Sequence, residues 1–355
     1  MNNKIKIVFR VIIFIIIGLI IMHFLDKIFL PKWVHPIDPA TARIKGFYLE
    51  EKNSLDTLII GTSGASRGYS PLTVWEEYGI TGYNLGSSYQ TMPMAYYKLC
   101  EALKYQKPKV FILEMDALHR WSNPSEESKR KLFDNLKLDE VKFKAINDKN
   151  LKLNNKLSYI FPIMRFHSRW NELEVNDFKK NMKNEYDKVS FKGFPIIKTI
   201  KPYIDKNDYM GEKGEKKEIL SEDKEYIDKM VKLCKENNIK MLWVEIPCSH
   251  SWSLAMSNAV TELANKYGIE YIDYNLQSNR EKIGFDWTKD TYDAGGHTNI
   301  YGAEKVSKDI GRVLSEKYNC TSYKNDKNIA QKWNETLKIY NQEKGGKRKW
   351  YMQEY

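Results

Sequence analysis

Three short stretches of this 355-residue chain carry side chains that could do chemistry together. The first, "IIGTSGASRGYSP", sets Ser63 between Gly61 and Gly64, three residues past an apolar run that ends at Ile60. The second, "YNLGSSYQ", offers the bare backbone N–H of Gly86. The third, "DAGGHTNIYGAEKVS", presents Asp293 and His297 four positions apart, with two glycines between them. A serine hydroxyl is a poor nucleophile until a neighbouring base takes its proton. His297 can be that base, and an acid bound to its other ring nitrogen would fix the tautomer. Asp293 is the nearest candidate for the acid, with Asp290 next in line. An amphipathic helix starts just after, capped by Thr298 or Asn299, and its positive end favours the neutral imidazole that a base needs. A preorganised backbone N–H at Gly86 could hold a developing oxyanion. The chemistry of such a set would be acyl transfer through a serine ester.

These pieces need elements that bring them together. Thr57–Ile60, "GYNLG", Val110–Met115, "KMLWVEIP" and "IEYIDY" read as short strands bounded by turn residues. Helical patterns lie between them. They are "PLTVWEEYG" with Ser70 as N-cap and Pro71 first, Met94–Tyr105, "SEDKEYIDKMVKLCKENN" with Ser221 as N-cap, "SNAVTELANKYG", and the closing "IYGAEKVSKDIGRVLSEKY". The alternation predicts an α/β fold: a doubly wound parallel sheet of about five strands, covered on both faces. Ligands bind beyond the carboxyl ends of such strands, where Ser63, Gly86 and His297 would converge.

The rest of the chain divides around this unit. Residues 1–30 hold "VIIFIIIGLIIM" at 11–22, and Ile7 to Leu25 is long enough to span a bilayer with Arg10 snorkelling. Lys4, Lys6 and Arg10 precede the span, so the positive-inside rule keeps the N-terminus cytoplasmic. No small-residue cleavage site follows, which reads as an uncleaved signal anchor. Residues 31–56 form a juxtamembrane segment, and 57–318 the α/β domain. Residues 117–220 are a lysine-rich, mostly helical insertion expected to cover or flank the site mouth. Residues 319–355 read as a basic, solvated tail. The net charge of +11 suits nucleic acid, anionic membrane or envelope polymer. An extracytoplasmic domain removes nucleic acid from that choice. Hydrophobic content of 42 % supplies a core and excludes global disorder. Cys100, Cys234, Cys248 and Cys320 show no metal-type pairing, and their spacing leaves open whether any disulfide forms.

The order of the pieces resembles the SGNH hydrolase family, also called GDSL esterases, over about residues 55–318 outside the insertion. "GTS" stands where that family has G-D-S, Gly86 where it has its second-block glycine, and Asp293 with His297 where it has D-x-x-H. The resemblance implies a flavodoxin-like sheet, a catalytic set of Ser63, Asp293 and His297, and an oxyanion site built from the Ser63 and Gly86 N–H groups. Three features depart from it. Thr62 replaces the acid, the Asp293–His297 spacing is one residue longer, and no G-x-N-D follows the third strand, which reads "LEMDALHR". Asn84 does not replace that asparagine by position, so Gln90 is the further donor candidate.

With its anchor and its missing asparagine, the chain is similar to the accessory proteins of polymer acylation. These include the alginate and bacterial cellulose O-acetylation proteins and the teichoic acid D-alanylation protein. That likeness implies an O-acyltransferase, without cofactor, that places an acyl group, acetyl first, on an envelope or exopolysaccharide beside a membrane-bound O-acyltransferase partner. The alternatives are a catalytically silent polymer-binding partner and a secreted carbohydrate esterase. Asp116 is a candidate substrate contact beyond the third strand. His167 and Arg169, in "RFHSRW", could grip a sugar by stacking and hydrogen bonds. His119 and His250 read as structural, and the histidines show no metal-ligand spacing.

The flank charges set the expected topology. Protease added to intact cells is expected to digest the domain that follows residue 30, and full protection would place that domain in the cytoplasm instead.

Overall fold

The computed structural model describes residues 3–30, 39–118, 124–178, 190–204, 209–211 and 217–346. Five strands, β1 (Thr57–Ile60), β2 (Gly82–Asn84), β3 (Val110–Glu114), β4 (Lys240–Glu245) and β5 (Glu270–Asp273), form one sheet in the order β2-β1-β3-β4-β5. Every pairing is parallel. This is the doubly wound order in which the chain reverses direction across the sheet between β1 and β3.

The strands are short apolar runs because both faces are covered. Side chains alternate along each strand. Ile59, Ile112, Leu242 and Val244 face a layer that includes Tyr69, Val74, Val306, Ile310, Val313 and Leu314. Leu58, Ile60, Phe111, Leu113 and Trp243 belong to the other core, with Leu99, Tyr226, Ile227 and Met230. The first layer comes from α4 (Pro71–Tyr78) and the Ile300–Lys317 helix. The second comes from α5 (Met92–Ala102) and the Ser221–Glu236 helix. Ser70 caps α4 by accepting from Thr73 N. The Ser221–Glu236 helix starts one residue earlier than expected: Leu220 is its N-cap and Ser221 its first residue.

The insertion shares the second core. Leu132, Phe133, Tyr159, Phe191 and Phe194 are buried in it alongside the strand residues. Its far end also returns to the loop before the Ile300–Lys317 helix. Ile300 N donates to Ile197 O (2.8 Å), Lys201 N to Thr291 O (2.9 Å) and Tyr203 N to Trp287 O (3.0 Å). Residues 197–203 thus run beside the Asp293–His297 loop.

Helix α1 (Asn3–Phe29) has no buried residue along its 27 positions, and α2 (Pro39–Phe47) precedes β1. The end of α1 is tied to the insertion: Asp26 Oδ1 accepts from Ile163 N at 2.7 Å, and Phe29 O accepts from Arg169 Nη1.

The region after Asn319 differs from the solvated tail that its polarity suggests. Residues Lys327–Gly345 form a helix with Ala330, Trp333, Tyr340 and Glu343 buried. Its apolar residues are spread thinly among lysines and asparagines, so the pattern is weak until the partner is known. That partner is α4. Trp333 packs on Trp75 with ring centroids 5.2 Å apart, and Trp75 Nε1 donates to Asn334 Oδ1 at 2.9 Å. The last residues, 347–355, lie outside the described residues.

Removing that contact should destabilise the whole domain. Trp333→Ala is expected to cost about 3–5 kcal/mol in denaturant unfolding of the detergent-solubilised chain. A loss under about 0.5 kcal/mol, the size of a surface substitution, would show that the helix is only loosely attached.

Candidate active site

The nucleophile candidate is set by the turn after β1. Thr62 caps a short helix, α3 (Ser63–Gly68), by accepting from Gly64 N at 3.2 Å. Beneath this turn sits Glu114, the last residue of β3. Its carboxyl accepts from Thr62 N at 2.7 Å and from Thr62 Oγ1 at 3.1 Å. The two glycines make room for it. A Cβ at Gly61 would lie 2.4 Å from Glu114 Oε2, and one at Gly64 would lie 2.3 Å from Oε1. Ser63, the first helical residue, has a backbone N–H with no place in the intrahelical ladder.

The candidate base comes from the loop before the Ile300–Lys317 helix. Asn299 is that helix's N-cap and accepts from Tyr301 N and Gly302 N. Its amide donates to Lys289 O at 2.7 Å, closing the loop upon itself. Ala294 and Gly295 take left-handed conformations, φ +60° and +95°. A Cβ at Gly295 would fall 2.4 Å from Ser249 Oγ, which explains one of the paired glycines. Thr298 Oγ1 donates to Arg67 O at 2.9 Å and so ties this loop to α3.

The two loops meet. Ser63 Oγ lies 2.8 Å from His297 Nε2, across 234 residues of sequence. His297 Nδ1 lies 2.6 Å from Asp293 Oδ2, and His297 N donates to Asp293 Oδ1 at 2.7 Å. Both carboxylate oxygens of Asp293 are therefore directed at one residue. Partial burial alone would raise the Asp293 pKa. The hydrogen bond and charge of the His297 ring, with the backbone N–H, outweigh it and hold the carboxylate below its usual range. Tyr292 stacks on the other side of His297, with ring centroids 5.7 Å apart and planes 19° apart. The arrangement can take a proton from Ser63 at Nε2 while Nδ1–H stays on Asp293. Asp290, the alternative acid, is buried elsewhere and binds Asp286 N and Lys305 Nζ, each at 2.6 Å.

Other expected site residues are placed differently. The Gly86 N–H, expected to face an oxyanion, donates to Asn84 Oδ1 at 2.9 Å. Gly86 is required because a Cβ there would meet Ser66 N at 2.4 Å. Asn84 also donates to Ala65 O and Tyr69 O, both at 2.7 Å, so it clamps α3 to β2. Gln90 is buried; its Oε1 accepts from Ser87 Oγ at 3.2 Å and its Nε2 has no partner among the described residues. Asp116 is buried below the nucleophile turn, 3.2 Å from Thr62 Oγ1, and is no surface contact for a substrate. Arg169 is committed to Phe29 O and Asp177, and His167 Nδ1 to Met164 O, at the end of α1. Arg169 is thereby taken up by structural contacts, while His167 stays exposed. His119 lies outside the described residues. All four cysteines are free thiols. Among the described residues no group of His, Cys, Asp or Glu is arranged to hold a metal ion.

Two supports were not evident in the sequence. Glu114 lies inside the Val110–Met115 run of the sequence; its position opposite the glycine-rich turn is the signal that could have found it. Lys98, on α5, donates to Leu85 O (2.9 Å) and Ser87 Oγ (3.0 Å), bracing both sides of Gly86. Removal from water, then repulsion from Arg43 and Lys131, pushes its pKa down to about 7.

No protein-family profile matches the chain, and no curated protein matches it significantly. Among solved structures it is similar to a Desulfitobacterium hafniense protein described as lipolytic and of the G-D-S-L family. Identity there is 10%, the TM-score is 0.36, and the match covers 73% of this chain and 99% of that one. It is also similar to a Bacteroides fragilis protein described as an acylhydrolase, at 11% identity and a TM-score of 0.35, covering 78% and 95%. Likeness at these scores carries no argument about chemistry, which rests on the side chains of this chain.

A buried acid near the site sets a pH dependence. Glu245, the last residue of β4, is fully buried and neither carboxyl oxygen has a hydrogen-bond partner among the described residues. Burial, then the neighbouring Glu114, Asp116 and Asp273, raises its pKa well above the usual carboxylate value. An acid whose folded pKa exceeds its unfolded pKa adds stability that is complete below the unfolded value. That stability is lost as pH rises toward the folded value. Glu245→Gln is therefore expected to leave the melting temperature nearly unchanged at pH 4 and to raise it at pH 8. A variant that melts lower at pH 8 than the parent would mean that the carboxylate is ionised and held.

Proposed function

We propose that this chain is a membrane-anchored serine acyl-transfer enzyme, facing away from the cytoplasm, that carries an acyl group on Ser63. The observation that supports it is the unbroken hydrogen-bond path from Ser63 Oγ through His297 to Asp293. In this reading Ser63 Oγ attacks the carbonyl carbon of an acyl donor while His297 Nε2 takes the hydroxyl proton. His297 then returns the proton to the departing group, leaving the acyl ester on Ser63. An acceptor hydroxyl repeats the sequence in reverse: His297 takes its proton, the ester passes to the acceptor, and Ser63 recovers its hydrogen. Asp293 holds the tautomer and stabilises the imidazolium. The Ser63 N–H, outside the intrahelical ladder, is the backbone donor this reading assigns to the oxyanion.

The acceptor in this proposal is an envelope or exopolysaccharide, the acyl group acetyl, and the donor a membrane-bound O-acyltransferase partner. The anchor favours transfer at a membrane over a freely secreted esterase. A 27-residue helix is about 40 Å long at 1.5 Å per residue, enough to cross the roughly 30 Å hydrocarbon core. Among the described residues it has no protein partner for most of its apolar surface. Its far end is hydrogen-bonded into the insertion, next to elements that expose Trp170, Val175 and Phe178. A leader destined for removal has no need of such bonds, and exposed aromatic and aliphatic groups there suit the lipid interface.

Ser63→Ala and His297→Ala are each expected to abolish polymer acylation, with losses on the order of 10⁶-fold for a set that acts as one unit. Asp293→Asn should cost about 10⁴-fold through the wrong tautomer. An activated acetyl ester should leave a mass adduct on Ser63 in the parent and none in Ser63→Ala. Parent-level acylation in cells carrying a folded Ser63→Ala protein would end the enzymatic reading and leave a polymer-binding one.

A further inference from the structure

Arg67 lies one helical turn after Ser63 on α3. Residues four apart on a helix share a face, with Cβ atoms about 5–6 Å apart. Its guanidinium sits 5.3 Å from the centroid of the Tyr292 ring, and Tyr292 is the ring stacked on His297. Arg67, Tyr292 and His297 are thus layered beside the nucleophile. The Arg67 backbone is held as well, through Thr298 Oγ1 on its carbonyl.

This arginine is poised but unpaired. Arg130, Arg165, Arg169 and Arg312 each hold a carboxylate. Among the described residues no ion pair or hydrogen bond reaches the Arg67 guanidinium, and its Nε–H is buried without an acceptor. Asp293, the nearest acid in sequence to Tyr292, has both oxygens on His297. A buried donor without a partner is costly. A planar guanidinium fixed on an aromatic face is preorganised for a carboxylate or phosphate.

We propose that Arg67 is the anion-binding residue of this site: it holds a substrate oxyanion, a carboxylate or phosphodiester, beside the ester that forms on Ser63. The class of acceptor it selects is an anionic polymer rather than a neutral glycan. This inference rests on the acyl-transfer reading for its meaning, but its binding step does not require turnover.

The test uses the full chain in detergent and two esters of similar size, 4-acetoxybenzoate, which is anionic, and methyl 4-acetoxybenzoate, which is neutral. Binding is measured calorimetrically on Ser63→Ala protein and turnover on protein with Ser63 intact. The anionic ester is expected to bind about 10-fold tighter or more, one charge-assisted contact's worth. Adding Arg67→Met should erase that preference, and Arg67→Lys should keep part of it. In turnover, Arg67→Met should raise KM for the anionic ester by a larger factor than KM for the neutral one. Equal binding of the two esters, or a preference that survives Arg67→Met, would overturn the proposal. So would an equal fall in kcat on both esters with the binding preference unchanged, since Arg67 would then act only by orienting His297 through Tyr292. If the parent turns over neither ester yet shows the Arg67-dependent preference, the anion site stands and the acyl-transfer reading fails.

Discussion

The carboxyl of Glu114 beneath the Thr62 backbone is the contact on which the site depends. It joins the end of β3 to the turn after β1, the two strands that flank the switch point of the sheet. Because the acid comes from β3, the turn itself must supply donors and empty space. Thr62 supplies the N–H and hydroxyl, and Gly61 and Gly64 supply the space. An aspartate at 62 would crowd its charge against Glu114 and Asp116, a like-charge arrangement in a buried place. The threonine that departs from the G-D-S pattern therefore fits the acid that replaces it from below.

The histidine loop answers a similar constraint from the other side. One extra residue separates Asp293 from His297, and the left-handed pair Ala294 and Gly295 absorbs it. The chain doubles back tightly enough for one carboxylate to meet both the backbone and the ring of His297. The Thr291–Thr298 bridge and the Asn299 cap then lock the loop to the helix behind it. Closing the Ser63–His297 contact over 234 residues carries a large chain-entropy cost. The rigid sheet and the Thr298–Arg67 bond meet that cost, rather than the 2.8 Å contact itself.

The insertion and the last helix are parts of the same body. Phe133, Tyr159 and Phe194 share the core that the sheet builds, and Trp333 covers Trp75 on α4. The stretch that returns through Ile197 and Lys201 braces the Asp293–His297 loop. The region near Ile163 and Arg169 instead grips the end of α1. One excursion of the chain thereby links the end of α1 to the loop that carries His297.

The sequence by itself determined the elements whose signal is local. Apolar runs gave the five strands at nearly their observed limits, and Ser70–Pro71 marked the start of α4. The apolar span Ile7–Leu25, which lies within α1, was legible from composition alone. The pairing of Asp293 with His297 was readable because both lie in one loop, and Ser63 followed from its place after β1. Tertiary structure decided what depends on partners distant in sequence. A strand-terminal glutamate looks ordinary until it is found under the glycine turn. Gly86 looks like an open donor until Asn84 takes its N–H. Arg169 looks like a ligand-gripping residue until it is found on Phe29 O. Each of these groups has the same hydrogen-bonding capacity in the sequence as in the fold. Which capacity is filled by protein and which is left for a substrate is set only when the chain brings the competing partners within about 3 Å.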